Sequence, residues 1–396
     1  MIEANEFPTL KDSIYINDIF KNRSANGKVI IGDLENDTFF LIPEKQENAF
    51  NKIISLMNGK NSKSDIIEKT GIGEEQLDKV LNKLVSMGFL KQDNKDLADE
   101  IKEAKYNEVD SLSLKLVNYE FKNIINKEGV KRKADFIGKC SIIFLVLAIL
   151  ILFLMNAITG FEGFKDIQIS DWFSYKQTGE NNYWLAYILI NVGMLIMFVF
   201  HELGHLIEGL RAKIQPYNIA FVLYLGFIPM FYVKNKNIYS LKRKEIYKIL
   251  FAGVKINLLL GLMLLGMFGL TSNEVCKVLA LSNFRLVVFN LCPLSLSDGY
   301  FILCILLRHP NLRLKLHKFI SEPSSILKYN LIEVIYTIFA FLTLMVSVAV
   351  EMIWIIKLLD CTLKNSVIIF SLFMLLYIIS LHFINKKRLK KVFRYN

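Results

Sequence analysis

Within an otherwise apolar run, Phe200-His201-Glu202-Leu203-Gly204-His205 sets two imidazoles four residues apart, with a carboxylate beside the first. On a helix four residues make one turn of the same face, so His201 and His205 can each direct a ring nitrogen at one Zn²⁺. Glu202 lies one residue round the helix, where it can take a proton from water that the metal has made acidic. The chemistry is hydrolysis, with one zinc ion per chain as cofactor. A solvated helix can carry this spacing by chance, but the residues from 184 to 200 read WLAYILINVGMLIMFVF. With HELGHLI they are long enough to cross a bilayer, where ionisable groups are costly unless paired or metal-bound. Two of the five histidines of the chain stand in this one motif.

Catalytic zinc takes a third protein ligand and leaves one position open. The comparable polar cluster in another apolar stretch is Asn290-Leu291-Cys292-Pro293-Leu294-Ser295-Leu296-Ser297-Asp298-Gly299, and Asp298 is its candidate ligand. His201 precedes Arg211, and Asp298 precedes Arg308, by the same interval of about ten residues. At 1.5 Å per residue both would lie roughly 15 Å from one boundary if their helices run the same way. Pro293 and Gly299 are expected to break the helix around the acid, which membrane proteins tolerate where the break lines a site.

With 396 residues, 53% of them hydrophobic, and a mean hydropathy of +0.37, the chain is too apolar for an ordinary soluble enzyme. It reads as an integral membrane protein with a soluble appendage. The net charge of +11 sits in short loops beside apolar runs, which marks membrane topology and excludes a nucleic-acid groove. Cys140, Cys276, Cys292, Cys304 and Cys361 form no CxxC pair, so no disulfide framework is expected. The opening MIEANEFPTLKDS has no signal-peptide pattern, and the first hundred residues are expected in the cytoplasm.

Residues 8–92 read as an α+β unit. Segments 14–20, 29–34 and 38–42 favour strands, with a turn at Leu34-Glu35-Asn36-Asp37. Ala49, Ile53, Ile54 and Met57 follow at helix spacing and Gly59 ends that helix. Ser64 is expected to cap a second helix, SDIIEKTG. A third carries Leu77, Val80, Leu81, Leu84 and Val85 on one face and stops at Gly88. The order and wording of this segment, FFLIPEKQENAFNKIISLMNGKNSKSDIIEKTGIGEEQLDKVLNKLVSMGFLK, resemble the PqqD-like domains that bind leader peptides of ribosomally made, modified peptides. That resemblance implies a winged-helix-like domain to which a peptide adds a strand at the sheet edge.

Residues 93–138 form a basic connector, with a strand at 111–117. Spans are expected at 141–157, from 184 inward to Arg211, at 249–270, within 278–307, at 332–356 and at 367–384. Segment 217–233 is apolar but flanked by lysines and arginines at both ends, and Gly226 and Pro229 argue against a straight helix, so it reads as re-entrant. The fold class is thus a polytopic α-helical membrane protein. It has about six spans plus a re-entrant segment, an N-terminal winged-helix-like cytoplasmic domain and both termini cytoplasmic. The division is 1–92, 93–138, a zinc metalloprotease core at 139–308, and two further spans with a basic tail at 309–396. His309, His317, His382, Lys255 and Glu351 lie near span ends, where interfacial roles are expected.

HELGH with Asn290-x-x-Pro293-x-x-x-x-Asp298-Gly299 closely resembles the site-2 protease family of intramembrane zinc metalloproteases. The family's AGPxxN motif has a counterpart in Ala252-Gly253-Val254-Lys255-Ile256-Asn257, with Val254 in place of proline. The resemblance implies metal ligands at His201, His205 and Asp298, a general base at Glu202, and Asn290 and Asn257 holding the substrate or its oxyanion. Combined, the two resemblances imply a zinc endopeptidase in a bacterial cell membrane that matures a small ribosomally made precursor peptide, beside a peptide exporter. The alternatives are release of a membrane-tethered regulator, and a non-proteolytic export or immunity component.

Overall fold

The computed structural model describes residues 7–21, 27–34, 37–91, 113–121, 129–162, 183–224, 228–294 and 297–358. The chain divides into two compact units, Met1–Val288 and Phe289–Asn396.

In the first unit, the antiparallel strands β1 (Ile14–Asn17), β2 (Lys28–Asp33) and β3 (Thr38–Pro43) pair in that order. Helices α1 (Glu47–Leu56), α2 (Lys63–Thr70) and α3 (Glu74–Ser86) follow, the succession expected from the sequence. Side chains alternate across a strand, so Val29 and Ile31 of β2 enter one core with Phe50, Ile66, Leu77 and Leu84 of the helices. Ile30 faces the other way and is just as buried. The cap of α2 differs from expectation: Ser62, not Ser64, begins the helix. Ser62 Oγ accepts the Asp65 N–H at 3.1 Å, and the Asp65 carboxylate accepts the Ser62 N–H at 2.7 Å. This reciprocal box needs an acid three residues after the cap, which Ser62 has and Ser64, followed by Ile67, lacks.

A second sheet holds β4 (Ser113–Glu120), β5 (Pro216–Tyr224) and β6 (Ile228–Asn235), with β5 central. β4 is the strand expected at 111–117. Segment 217–233, expected as a re-entrant stretch, does turn back on itself, but as the β5/β6 hairpin. Its Tyr, Ile, Phe and Val residues suit a pleated surface, and Phe221 stacks on its cross-strand partner Phe231 at 4.5 Å. Pro229 falls on the edge strand β6, where a missing N–H breaks no interior ladder. Gly226 lies outside the described residues.

Among the described residues, three helices are long and apolar enough to cross a membrane: α4 (Val130–Ile158), α5 (Tyr183–Arg211, from Ile188) and α6 (Arg243–Thr271), and they pack on one another. α4 exposes Phe136, Phe144, Leu147, Leu150 and Ile151, an apolar surface suited to lipid. Its buried Asn156 donates to the Gly266 carbonyl of α6 at 2.9 Å, tying the two helices. The expected fourth span is divided between α7 (Glu274–Leu291) and α8 (Asp298–Leu306). The interruption includes Pro293 but not Gly299, which is already helical. A Cβ on Gly299 would come within 2.3 Å of the Leu291 carbonyl oxygen, so the glycine serves close approach rather than the break.

In the second unit, α8, α9 (Arg313–Ser321) and α10 (Leu331–Leu358) enclose Tyr300, Cys304, Leu312, Leu316, Tyr336 and Ala340. Glu333 at the start of α10 accepts from His309 Nε2 at 3.0 Å and Lys315 Nζ at 2.9 Å, which gives His309 a structural role. The expected fifth span lies in α10, whose apolar stretch is Leu331–Val346. The sixth, 367–384, lies with His382 and the basic tail outside the described residues.

Candidate metal centre

α5 carries the motif in its C-terminal half, where His201 and His205 are only 5% and 7% exposed. Their Nε2 atoms lie 3.2 Å apart. Tetrahedral zinc with bonds of about 2.0–2.1 Å sets neighbouring nitrogens about 3.3–3.4 Å apart, so the pair fits the ion. The tautomer fits as well. His205 Nδ1 meets the Ile249 carbonyl of α6 at 2.7 Å; a carbonyl only accepts, so Nδ1 carries the proton and Nε2 keeps its lone pair for a metal.

The room for these rings comes from small residues at the α5–α6 contact. A Cβ on Gly204 would stand 3.0 Å from the Ala252 carbonyl oxygen. A Cβ on Gly253 would stand 2.5 Å from His201 Nε2 and 2.6 Å from His205 Nε2. Thus α6 presents a bare backbone to the two nitrogens, with the Ile249 carbonyl one turn earlier. One turn later comes Asn257, which is fully buried and makes no hydrogen bond through either amide atom. Leaving a buried amide unpaired costs about 1–3 kcal/mol. Val254, the departure from the AGPxxN pattern, is buried, whereas Lys255 is exposed.

Glu202 is half-buried, and its Oε2 accepts the Val233 N–H of β6 at 2.7 Å. The bond ties the carboxylate to the edge strand of the second sheet. In the second unit, Asp298 is the first residue of α8 and Asn290 the penultimate residue of α7, both half-buried. Three contributors carry no side-chain signal in the sequence: the Ile249 carbonyl, the Val233 N–H and the absent side chain of Gly253. Only Gly253 was traceable, as part of the Ala252–Asn257 motif.

A protein of Bacillus subtilis (strain 168) described as "Putative peptide zinc metalloprotease protein YydH" is 33% identical to this chain over 123 residues. The match takes in 30% of this chain and 48% of that protein, so the chain spans about half the length of the curated relative it matches. It supports a zinc metalloprotease. No family model matches the chain, and no solved structure matches it.

Proposed function

We propose that the chain is an intramembrane zinc endopeptidase of the site-2 type that matures a small ribosomally made precursor peptide. The observation that carries this reading is the His201–His205 pair. Its nitrogens converge at a ligand separation, one tautomer is fixed by a backbone carbonyl, and the pair sits in an apolar helix beside an anchored carboxylate. Asp298 is the third ligand in this reading, as the resemblance of Asn290-x-x-Pro293-x-x-x-x-Asp298-Gly299 to the site-2 family implies. Zinc, when bound, supplies a Lewis acid that lowers the pKa of water and polarises a peptide carbonyl. Glu202 takes the proton of the attacking water and returns it to the leaving amine. Asn257 and Asn290 donate to the substrate carbonyl or the oxyanion formed from it. The outer edge of β6, which pairs with no further strand among the described residues, would offer the backbone groups beyond the Val233 N–H to an extended peptide.

In this reading the N-terminal domain captures the precursor's leader as an added strand. The chain crosses the bacterial cell membrane six times, with both termini and residues 234–248 cytoplasmic. Metal analysis of the purified protein tests the centre: wild type holds one zinc per chain, and His205→Ala and Asp298→Ala lose it. Full occupancy in Asp298→Ala would remove that residue from the ligand set. The topology has its own test. A cysteine placed at exposed Lys244 stays unlabelled by a membrane-impermeant thiol reagent on intact cells and reacts after lysis; labelling from outside rules the six-span arrangement out.

A further inference from the structure

We infer that Asn17 and Asp37 of the N-terminal domain, with Asn237, are positioning residues for the metal centre, an inference that rests on the zinc reading above. The segment joining β6 to α6 is held against the first sheet at both ends. Asn17 Nδ2 donates to the Tyr239 carbonyl at 2.7 Å and the Leu241 carbonyl at 2.9 Å. The Asn237 N–H donates to Asp37 Oδ1, and Asn237 Nδ2 to the Leu34 carbonyl, both at 2.7 Å. Arg243, the first residue of α6, donates through Nε to the Ile19 carbonyl at 2.9 Å. The Tyr239 ring lies between Phe39, at 4.9 Å, and Phe20, at 6.0 Å, over the sheet face that the three helices leave uncovered. Both Asp37 and Asn237 adopt left-handed backbone, φ 50° and 56°, which Asp and Asn tolerate better than other side chains.

This clamp grips the one connector that leads to both anchors of the centre. Four residues before Asn237, the Val233 N–H holds Glu202. Six residues after Arg243, or about 9 Å along the helix, the Ile249 carbonyl holds His205, and Gly253 follows one turn later. A strand and a helix are stiff, so a connector fixed at Asn237, Tyr239, Leu241 and Arg243 fixes the relative placement of carboxylate and imidazole. Released, β6 and α6 can shift by the ångström or so that costs a reacting site about a hundredfold. The N-terminal domain thereby does more than add a surface: its docking sets the geometry more than 150 residues away in sequence.

The test uses the full chain in detergent with Zn²⁺ and Co²⁺ as probes. In Asn17→Ala/Asp37→Ala, zinc affinity falls about tenfold or more. The visible absorption of the Co²⁺ form changes, and amide exchange in residues 233–249 of the metal-free protein rises. Asp37→Asn, which keeps an acceptor facing the Asn237 N–H, restores wild-type values. Asn237→Gly preserves the backbone conformation and the N–H that meets Asp37, loses the Nδ2 bond to the Leu34 carbonyl and leaves the N-terminal domain untouched, so it reports a smaller loosening in the same direction even if the double variant unfolds that domain. Wild-type affinity, spectrum and exchange in both variants would overturn the inference while leaving the metal centre standing. A wild-type chain that binds neither ion would overturn both.

Discussion

Glu202→Gln stops peptide cleavage and leaves zinc bound. The glutamine is nearly isosteric, and its Oε1 can accept the Val233 N–H as Glu202 Oε2 does at 2.7 Å, so the side chain stays where it is. What it loses is the capacity to take a proton from water and pass it to the leaving amine. Positioned acid–base catalysis contributes about 10²–10⁴-fold, and a loss of that size in turnover is expected against any peptide the wild-type chain cuts. On the proposed reading zinc content remains at the wild-type level, because the carboxylate would act beside the metal and not as one of its ligands. Turnover and metal content measured on one preparation separate the possibilities. Activity within tenfold of wild type would deny Glu202 the role of base, and lost zinc would make it a structural support of the site.

On the proposed reading Gly253→Ala weakens zinc binding without replacing a ligand. An added methyl would lie 2.5 Å from both Cε1 and Nε2 of His201 and 2.6 Å from Nε2 of His205, about an ångström inside van der Waals contact. Neither ring can retreat freely, since both are buried and His205 is bonded to the Ile249 carbonyl. Either the rings turn away from each other or α5 and α6 move apart, and overpacking of this kind costs about 1–3 kcal/mol. The expected result is a fall in zinc affinity of about a hundredfold or more, measured by competition with a chelator, since small displacements of a constellation cost about that much. Lys255→Ala, on the exposed side of the same helix, leaves zinc affinity unchanged. If Gly253→Ala binds zinc as tightly as wild type, the close face of α6 is not what holds the histidine pair.

The sequence by itself determined the features that local spacing encodes. Two histidines four apart share a helix face wherever that helix lies, so the His201–Glu202–His205 arrangement was readable from three letters. Alternating and 3.6-residue patterns, compounded over whole segments, gave the three strands and three helices of residues 8–92, and length with apolarity gave α4, α5 and α6. Where two local signals competed, the reading failed. Segment 217–233 carries both the apolarity of a membrane segment and the aromatic and β-branched composition of a strand, and pairing with β4 decided for a sheet. Ser62 and Ser64 are equally good caps as residues, and the acid at Asp65 chose between them.

Only the tertiary structure decided what completes the histidine pair. A backbone carbonyl at Ile249, a backbone N–H at Val233 and the space at Gly253 act through the main chain, which is common to every residue type, so no side chain announces them. The same holds for the grip of Asn17, Asp37 and Arg243 on the β6–α6 connector, where most partners are carbonyl oxygens 200 or more residues away in the chain. Side-chain pattern records which face of an element must be buried. Which backbone group of another element it then meets is fixed only when the elements pack, because that choice depends on distances that no single stretch of sequence contains.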